Sequence, residues 1–266
     1  MYDLYNRKIN YLRISVTDRC NLRCRYCMPA EGIPLLSHDD ILTFDEIVGF
    51  TRVAVGMGIN KVRITGGEPL VRKGIVELTQ MLASIEGMDD LGMTTNGIFL
   101  DRFAQPLADA GLDRVNISLD TLDEEKYHQI TRQGKLEDAL RGIAAADRAG
   151  LHPIKLNCVV KKDGREPDAI SVRQFAEEHG YQIRYIPQMD LVEGTFGRVQ
   201  GGEGGNCSNC NRLRLTSDGK ILPCLFSNIS YDIRELGAKQ AIEMALQNKP
   251  LSGTTNKTSC FSNIGG

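Results

Sequence analysis

The chain has 266 residues, 41% of them hydrophobic, with 32 Lys and Arg against 34 Asp and Glu and a net charge of -2. That length can bury a sizeable core as one large α/β domain or as a domain with a small appendage, and the near-balanced charge argues against a general nucleic-acid binder. No run approaches the roughly 18 apolar residues of a membrane span, and the opening MYDLYNRKIN lacks the apolar core of an export signal, so a cytoplasmic protein without membrane contact is expected.

In chain order, the first β-rich run is YLRISVTD, which leads into the loop TDRCNLRCRYCMPAEG carrying Cys20, Cys24 and Cys27. A helical pattern follows in TFDEIVGFTRVAVGMG, with Thr43 as N-cap ahead of Asp45 and Glu46 and Gly58 at its end. KVRITGG then runs into GGEPL at 66–70, and LGMTTNG, RVNISLD, IKLNCVVKK and QIRYIPQM complete six strand-like runs. Helical patterns fill the intervals. In LEDALRGIAAADRAG, Leu136, Leu140, Ile143 and Ala144 recur at helical spacing, and Gly111, Gly150 and Gly180 stand at further helix ends. Strands alternating with helices predict parallel βαβ units.

Parallel strands buried on both faces normally read as continuous apolar runs. These alternate instead. Leu12, Ile14 and Val16 oppose Arg13, Ser15 and Thr17, and Val62 and Ile64 oppose Lys61, Arg63 and Thr65. Val115, Ile117 and Leu119 oppose Asn116, Ser118 and Asp120, while Lys155 and Asn157, then Gln182 and Arg184, share polar faces. The apolar face must meet the helices, so a curled sheet would turn Arg13, Lys61, Arg63, Lys155 and Arg184 into one lumen. Five inward cations are costly unless an anion occupies the space, and a polyphosphate suits arginine forks and lysine point charges. An open sheet with one solvated face explains the alternation equally well, but not the basic bias.

Eight cysteines in a chain without an export signal favour metal ligation over disulfides. Cys20-x3-Cys24-x2-Cys27 offers three thiolates from one loop. A four-iron cubane takes four ligands, so three leave one iron open to chelate a small molecule through amine and carboxylate. A zinc site would need a fourth ligand and usually shows C-x2-C pairs. In GGEPL, Gly66 and Gly67 would let backbone approach a ligand, and Glu68 could accept from an ammonium; taken alone, the stretch could be an ordinary turn. TTNG at 94–97 and NISLD at 116–120 end strands, where barrel ligands are held. Cys207, Cys210 and Cys224 form a second trio, C-x2-C-x13-C, with Asp218-Gly219 as the turn that folds Cys224 back towards the pair. Cys158 reads as a buried structural thiol and Cys260 as a free cysteine, and no role attaches to the histidines.

The first trio, its Tyr26 and GGEPL together resemble the radical S-adenosylmethionine enzymes. That resemblance implies a [4Fe-4S] cluster whose open iron holds S-adenosylmethionine, cleaved by one electron to a 5′-deoxyadenosyl radical. It implies cofactor contacts at Tyr26, Gly66, Gly67, Glu68, Pro69, Thr94, Asn96 and Ser118. With the second trio, CNRLRLTSDGK and the final Gly265-Gly266, nearly the whole chain resembles the GTP 3′,8-cyclase family, which begins molybdenum cofactor biosynthesis. This implies a second [4Fe-4S] cluster facing the GTP purine, and GTP contacts at Arg13, Lys61, Arg63, Lys155, Arg184, Arg212 and Arg214. It further implies a cofactor contact at Met189, and catalysis assisted by Arg63 and by a tail, Gly265-Gly266, that reaches the active site.

The implied fold is α/β: an incomplete (βα)6 TIM-like barrel over residues 1–190, with residues 191–266 as a small C-terminal iron–sulfur segment. Implied partners are a reducing protein such as flavodoxin or ferredoxin and a downstream cyclic pyranopterin monophosphate synthase, and a homodimer is allowed. Only 17 residues separate Met189 from Cys207, where the family usually carries several dozen more. Extended, they reach roughly 55–60 Å, enough to cross a barrel mouth, but the missing segment would normally help to wall the site. Competing readings are a maturase acting on a peptide or another nucleotide, and a non-catalytic iron–sulfur electron carrier.

Overall fold

A computed structural model of the chain describes residues 1–258 and 261–264. The elements run β1 (Tyr11–Ser15), α1 (Phe44–Gly56), β2 (Lys61–Thr65), α2 (Ile75–Ala83), β3 (Asp90–Thr95), α3 (Leu100–Asp109), β4 (Arg114–Ser118), α4 (Glu124–Thr131) and α5 (Leu136–Arg148). They continue with β5 (Lys155–Val160), α6 (Pro167–Glu178), β6 (Gln182–Pro187), β7 (Arg212–Leu215), β8 (Lys220–Leu222), β9 (Tyr231–Asp232), α7 (Ile233–Leu236), α8 (Ala238–Gln247) and α9 (Phe261–Ile264).

All six expected strands form, and each pairs in parallel with the next. The sheet order is β6-β5-β4-β3-β2-β1-β7-β8-β9, an open sheet with no hydrogen-bonded closure from β6 to β9 among the described residues. The C-terminal strands β7–β9 extend this same sheet, because β7 lies parallel against β1. The Asp218-Gly219 turn then reverses the chain into β8, antiparallel to β7. The C-terminal residues also share the main core: Leu213, Leu215, Ile221, Ile242 and Leu246 pack in one cluster with Leu12, Ile14, Val62 and Ile64.

Local signals explain the helix ends. Thr43 caps α1 in a reciprocal box, accepting from the Glu46 N–H while the Glu46 carboxylate accepts from the Thr43 N–H. Gly58, Gly111, Gly150 and Gly180 all take positive φ just past helix ends, as expected. The buried stripe of α5 differs from the expectation. Ala139, Gly142 and Ala146 lie fully inside with Leu136 and Ile143, while Leu140 and Ala144 are only half-buried. Small residues face inward because α5 presses on the start of α3: a Cβ on Gly142 would sit 1.9 Å from the Gly97 carbonyl oxygen.

Candidate active site

One cavity of about 690 Å³ opens on the polar face of the sheet. Its floor confirms the strand parity. Arg13, Lys61, Arg63, Thr94, Asn116, Ser118, Lys155, Asn157, Gln182 and Arg184 all line it, as do Arg212 and Arg214 from β7. Register makes the basic residues neighbours. Arg214, Arg13 and Arg63 stand side by side on β7, β1 and β2, and Arg212, Tyr11 and Lys61 form the adjacent row. Burial lowers Arg13 well below its ordinary value, helped by the Arg214 charge, and burial also lowers Arg63. Burial takes Arg214 and Arg184 to about 10 and Lys155 to about 8, each aided by neighbouring arginines. Buried polar atoms without a hydrogen-bond partner among the described residues include Arg63 Nε, Arg184 Nε and Asn157 Oδ1. A concentration of desolvated cations with unused donors is what an anionic ligand would satisfy.

Three floor residues escaped the sequence reading. Tyr11 shares the parity of Arg13, and its ring lies 5.7 Å from the Arg63 guanidinium and 5.8 Å from that of Arg212. Burial pushes its phenol up, but Arg63, Arg13 and Arg212 outweigh burial and bring it below its ordinary value. Asp90 and Arg114 make a bidentate pair at 2.8 and 2.6 Å. Arg114 lies over Gly92, where an added Cβ would meet its Nη1 at 3.3 Å. Arg114 was legible from the parity of Asn116 and Ser118, and Asp90 from an earlier start to β3.

At one end of the floor Cys20, Cys24 and Cys27 all line the cavity. Their loop is held by remote backbone contacts. Arg132, at the end of α4, donates to the Arg23 and Met28 carbonyls at 2.6 and 3.0 Å, and Arg23 donates to the Cys20 carbonyl at 2.7 Å. Burial pushes the Cys20 thiol up to about 11 and the Cys24 thiol to about 12. Cluster iron would have to displace those protons, since a coordinating thiol is deprotonated.

GGEPL sits beside this loop for a reason that differs from expectation. Cβ atoms on Gly66 and Gly67 would come within 2.6 Å of Thr17 O and 2.4 Å of Arg19 O, so the glycines first serve backbone packing. Gly67 and Glu68 donate their N–H groups to those same carbonyls. This packing places the Glu68 carboxylate in the cavity, 1% exposed, accepting from Thr95 Oγ1 (2.7 Å), Asn96 N (2.7 Å) and Leu70 N (3.0 Å). Burial raises it to about 7, against the pull of those donors. A carboxylate has about four acceptor sites, so one on Oε2 stays available to an ammonium. Tyr26 hydrogen-bonds Asp120 at 2.8 Å and faces the cavity with Asn96 and Ser118. Pro69 opens a short 3₁₀ turn and lies outside the lining.

Cys207, Cys210 and Cys224 line the opposite end of the same cavity. Met189 lines it too, packed with Phe196 and Phe261 against Leu191, Leu222, Leu225, Phe226 and Ile264. The short 190–206 segment forms wall itself: Gln200 pairs with Tyr185 on β6, and Phe196, Val199 and Gly201–Gly205 face the cavity. The donor sets fit two thiolate-bound clusters, three sulfurs at each end of one pocket. Cys260, Gly265 and Gly266 lie outside the described residues.

Comparison with known proteins agrees with this geometry. Residues 14–168 match the family model described as Radical SAM superfamily, and residues 168–261 match Molybdenum Cofactor Synthesis C. The GTP 3′,8-cyclase of Moorella thermoacetica is 43% identical over 279 aligned positions, covering 88% of this chain and 86% of the relative. The GTP 3′,8-cyclase of Petrotoga mobilis is 37% identical over 323 positions covering both chains in full, so that relative carries residues this chain of 266 lacks. Among solved structures, Streptococcus suis SuiB bound to S-adenosylmethionine aligns with a TM-score of 0.65 at 15% identity, over 93% of this chain and 66%, just under two thirds, of SuiB. Native anSMEcpe with bound AdoMet aligns with a TM-score of 0.65 at 14% identity, over 90% of this chain and 81% of that one. At these identities the two structures show a shared fold, the partial barrel of radical S-adenosylmethionine enzymes.

Proposed function

The chain belongs to the GTP 3′,8-cyclase family of radical S-adenosylmethionine enzymes, and from that membership we propose how its cavity divides the work. The reaction converts GTP to 3′,8-cyclo-7,8-dihydro-GTP, joining ribose C3′ to purine C8 at the first step of molybdenum cofactor biosynthesis. When bound, the first cluster and S-adenosylmethionine together supply the 5′-deoxyadenosyl radical that removes the ribose hydrogen.

Everything else is positioning by this chain. Cys20, Cys24 and Cys27 hold the first cluster, and the open acceptor site of Glu68 takes the cofactor ammonium. Tyr26, Gly66, Gly67, Thr94, Asn96, Ser118 and Met189 line the cofactor's space. The basic floor, Arg13, Lys61, Arg63, Lys155, Arg184, Arg212 and Arg214, holds the triphosphate, while Cys207, Cys210 and Cys224 hold the second cluster against the purine. Fixing both reactants in one pocket supplies the proximity the ring closure needs. The bond from Arg63 to Thr94 at 3.5 Å, between the two regions, supports a role for Arg63 in orienting substrate against cofactor. Ile264 is fully buried in the cluster that holds the cavity residues Met189 and Phe261, which supports a catalytic reach for Gly265-Gly266. On this reading residues 1–190 carry the radical-generating half and 191–266 the substrate cluster.

The observation that carries the reading is that both cysteine trios and the basic floor open on one cavity. Replacing Cys207, Cys210 and Cys224 together tests it: S-adenosylmethionine cleavage without substrate should persist while GTP conversion stops. GTP should perturb the spectrum of the second cluster only; product formation with that spectrum unchanged would refute the assignment. We assign the protein to the cytoplasm, with a reducing protein such as flavodoxin or ferredoxin and a cyclic pyranopterin monophosphate synthase downstream, and with a homodimer allowed. Among the described residues no helix is long and apolar enough to cross a membrane.

A further inference from the structure

Just beyond α8, the side chain of Lys249 runs into the interior, and the residue is only 3% exposed. Its ammonium donates to the Arg212 carbonyl at 2.7 Å and to the Pro223 carbonyl at 2.5 Å. Those carbonyls belong to different arms of the β7–β8 hairpin. Arg212 follows Cys210 by two residues, and Pro223 directly precedes Cys224. One ammonium therefore clamps together the two arms that carry two of the three thiolates. The third arm position, Cys207, is fixed separately, its carbonyl accepting from Arg7 at 2.7 Å.

The two cations differ in charge pairing. Arg7 has a buried carboxylate partner, Asp3, at 2.6 Å. Lys249 makes no ion pair with a carboxylate among the described residues, and the Arg212 and Pro223 oxygens it bonds are neutral carbonyls. A buried ammonium with only neutral partners is costly. The groups beside it that become anionic on binding a cluster are the sulfurs of Cys210 and Cys224. Arg7 adds a like charge beside Lys249, and Arg212 and Arg214 stand by Cys210 and Cys224, so cluster-bound thiolates would supply the compensating negative charge.

We propose that Lys249 is the positioning residue of the second cluster: its ammonium sets the spacing of the Cys210 and Cys224 arms and neutralises their thiolates. This rests on the reading that Cys207, Cys210 and Cys224 hold that cluster. Positive charge close to the sulfurs favours the reduced form of an iron–sulfur cluster, so Lys249 also keeps the second cluster's potential up.

The test is anaerobic reconstitution of Lys249→Met, Lys249→Gln and Cys207→Ala beside the parent protein. Iron per chain, the spectroscopic signal of each cluster and the midpoint potential of the second are read. Lys249→Met should lose about half the iron and the second signal, with substrate-free S-adenosylmethionine cleavage kept within about twofold. Lys249→Gln retains N–H donors without the charge, and should keep the second cluster at a more negative potential. Full occupancy at an unshifted potential in Lys249→Met would overturn the proposal. Should that variant fail to fold, an unshifted potential in Lys249→Gln overturns it equally. Cys207→Ala separates the underlying reading. If it keeps both clusters intact, the ligand assignment fails and the proposal with it. If it loses the second while both Lys249 variants match the parent, only the role of Lys249 is overturned.

Discussion

Arg13 and Arg214 stand opposite one another in register on adjacent parallel strands, one near the start of the chain and the other near its end. Because β7 completes the flank of β1, the basic floor is built by both halves of the sequence at once. The cavity exists only when the C-terminal segment is docked.

A protein ending at residue 190 should therefore fail to fold stably. It would strip Leu213, Leu215, Ile221, Ile233, Ile242 and Leu246 from the main core. At roughly 1.5–3 kcal/mol for each buried side chain, the loss is on the order of the entire stability of a domain. Circular dichroism and thermal unfolding of the 1–190 fragment would check this; a cooperative transition near that of the full chain would contradict it.

Arg63→Ala and Arg184→Ala should each weaken GTP binding about ten- to a hundredfold, the loss of one charge-assisted contact worth about 1.5–3 kcal/mol. Iron content should be unchanged. Inorganic triphosphate should compete with GTP for the parent protein, and guanosine should bind far more weakly than GTP. Titration calorimetry reads the affinities for GTP, triphosphate and guanosine, and iron analysis reads the cluster content. Equal affinity for guanosine and GTP would mean the cations serve something other than phosphate.

Lys155 gives the site a pH dependence. Burial first, then the charges of Arg184, Arg114 and Arg63, lower its ammonium to about 8. The cation is present below that value and lost as pH rises through it, so GTP affinity should fall between about pH 7 and 9, by at most tenfold per unit. Lys155→Arg keeps its charge over this range, and its binding curve should be flatter. A wild-type affinity that is constant over the range would remove Lys155 from the phosphate site.

Gly142→Ala tests how α5 supports the cofactor end. Its Cβ would strike the Gly97 carbonyl, and Gly97 adjoins Asn96, whose N–H binds Glu68. Overpacking of this kind costs about 1–3 kcal/mol. The variant should melt lower and show a raised KM for S-adenosylmethionine, with GTP affinity little changed.

How far the sequence foretold this site depended on distance along the chain. Parity within a strand is local, so Arg13, Arg63, Lys155 and Arg184 could be aimed into the lumen from their alternation alone. Arg114 and Tyr11 obeyed the same parity but stood at strand ends, where boundaries are hardest to place. The parallel pairing of β7 with β1 was not legible, because no periodicity records which distant strand a segment joins. Nor were the small inward residues of α5: apolar spacing favoured Leu140 and Ala144, whereas close approach to the 97–100 turn selected Gly142 and Ala139. The clamp by Lys249 was invisible for the same reason, since NKPL at 248–251 carries no pattern that points to a cysteine hairpin.

The most direct measurement is anaerobic incubation of the reconstituted protein with S-adenosylmethionine, dithionite and each nucleoside triphosphate in turn. GTP alone should be consumed, yielding 3′,8-cyclo-7,8-dihydro-GTP in step with 5′-deoxyadenosine. Formation of 5′-deoxyadenosine with GTP left intact, or equal turnover of another nucleotide, would contradict it.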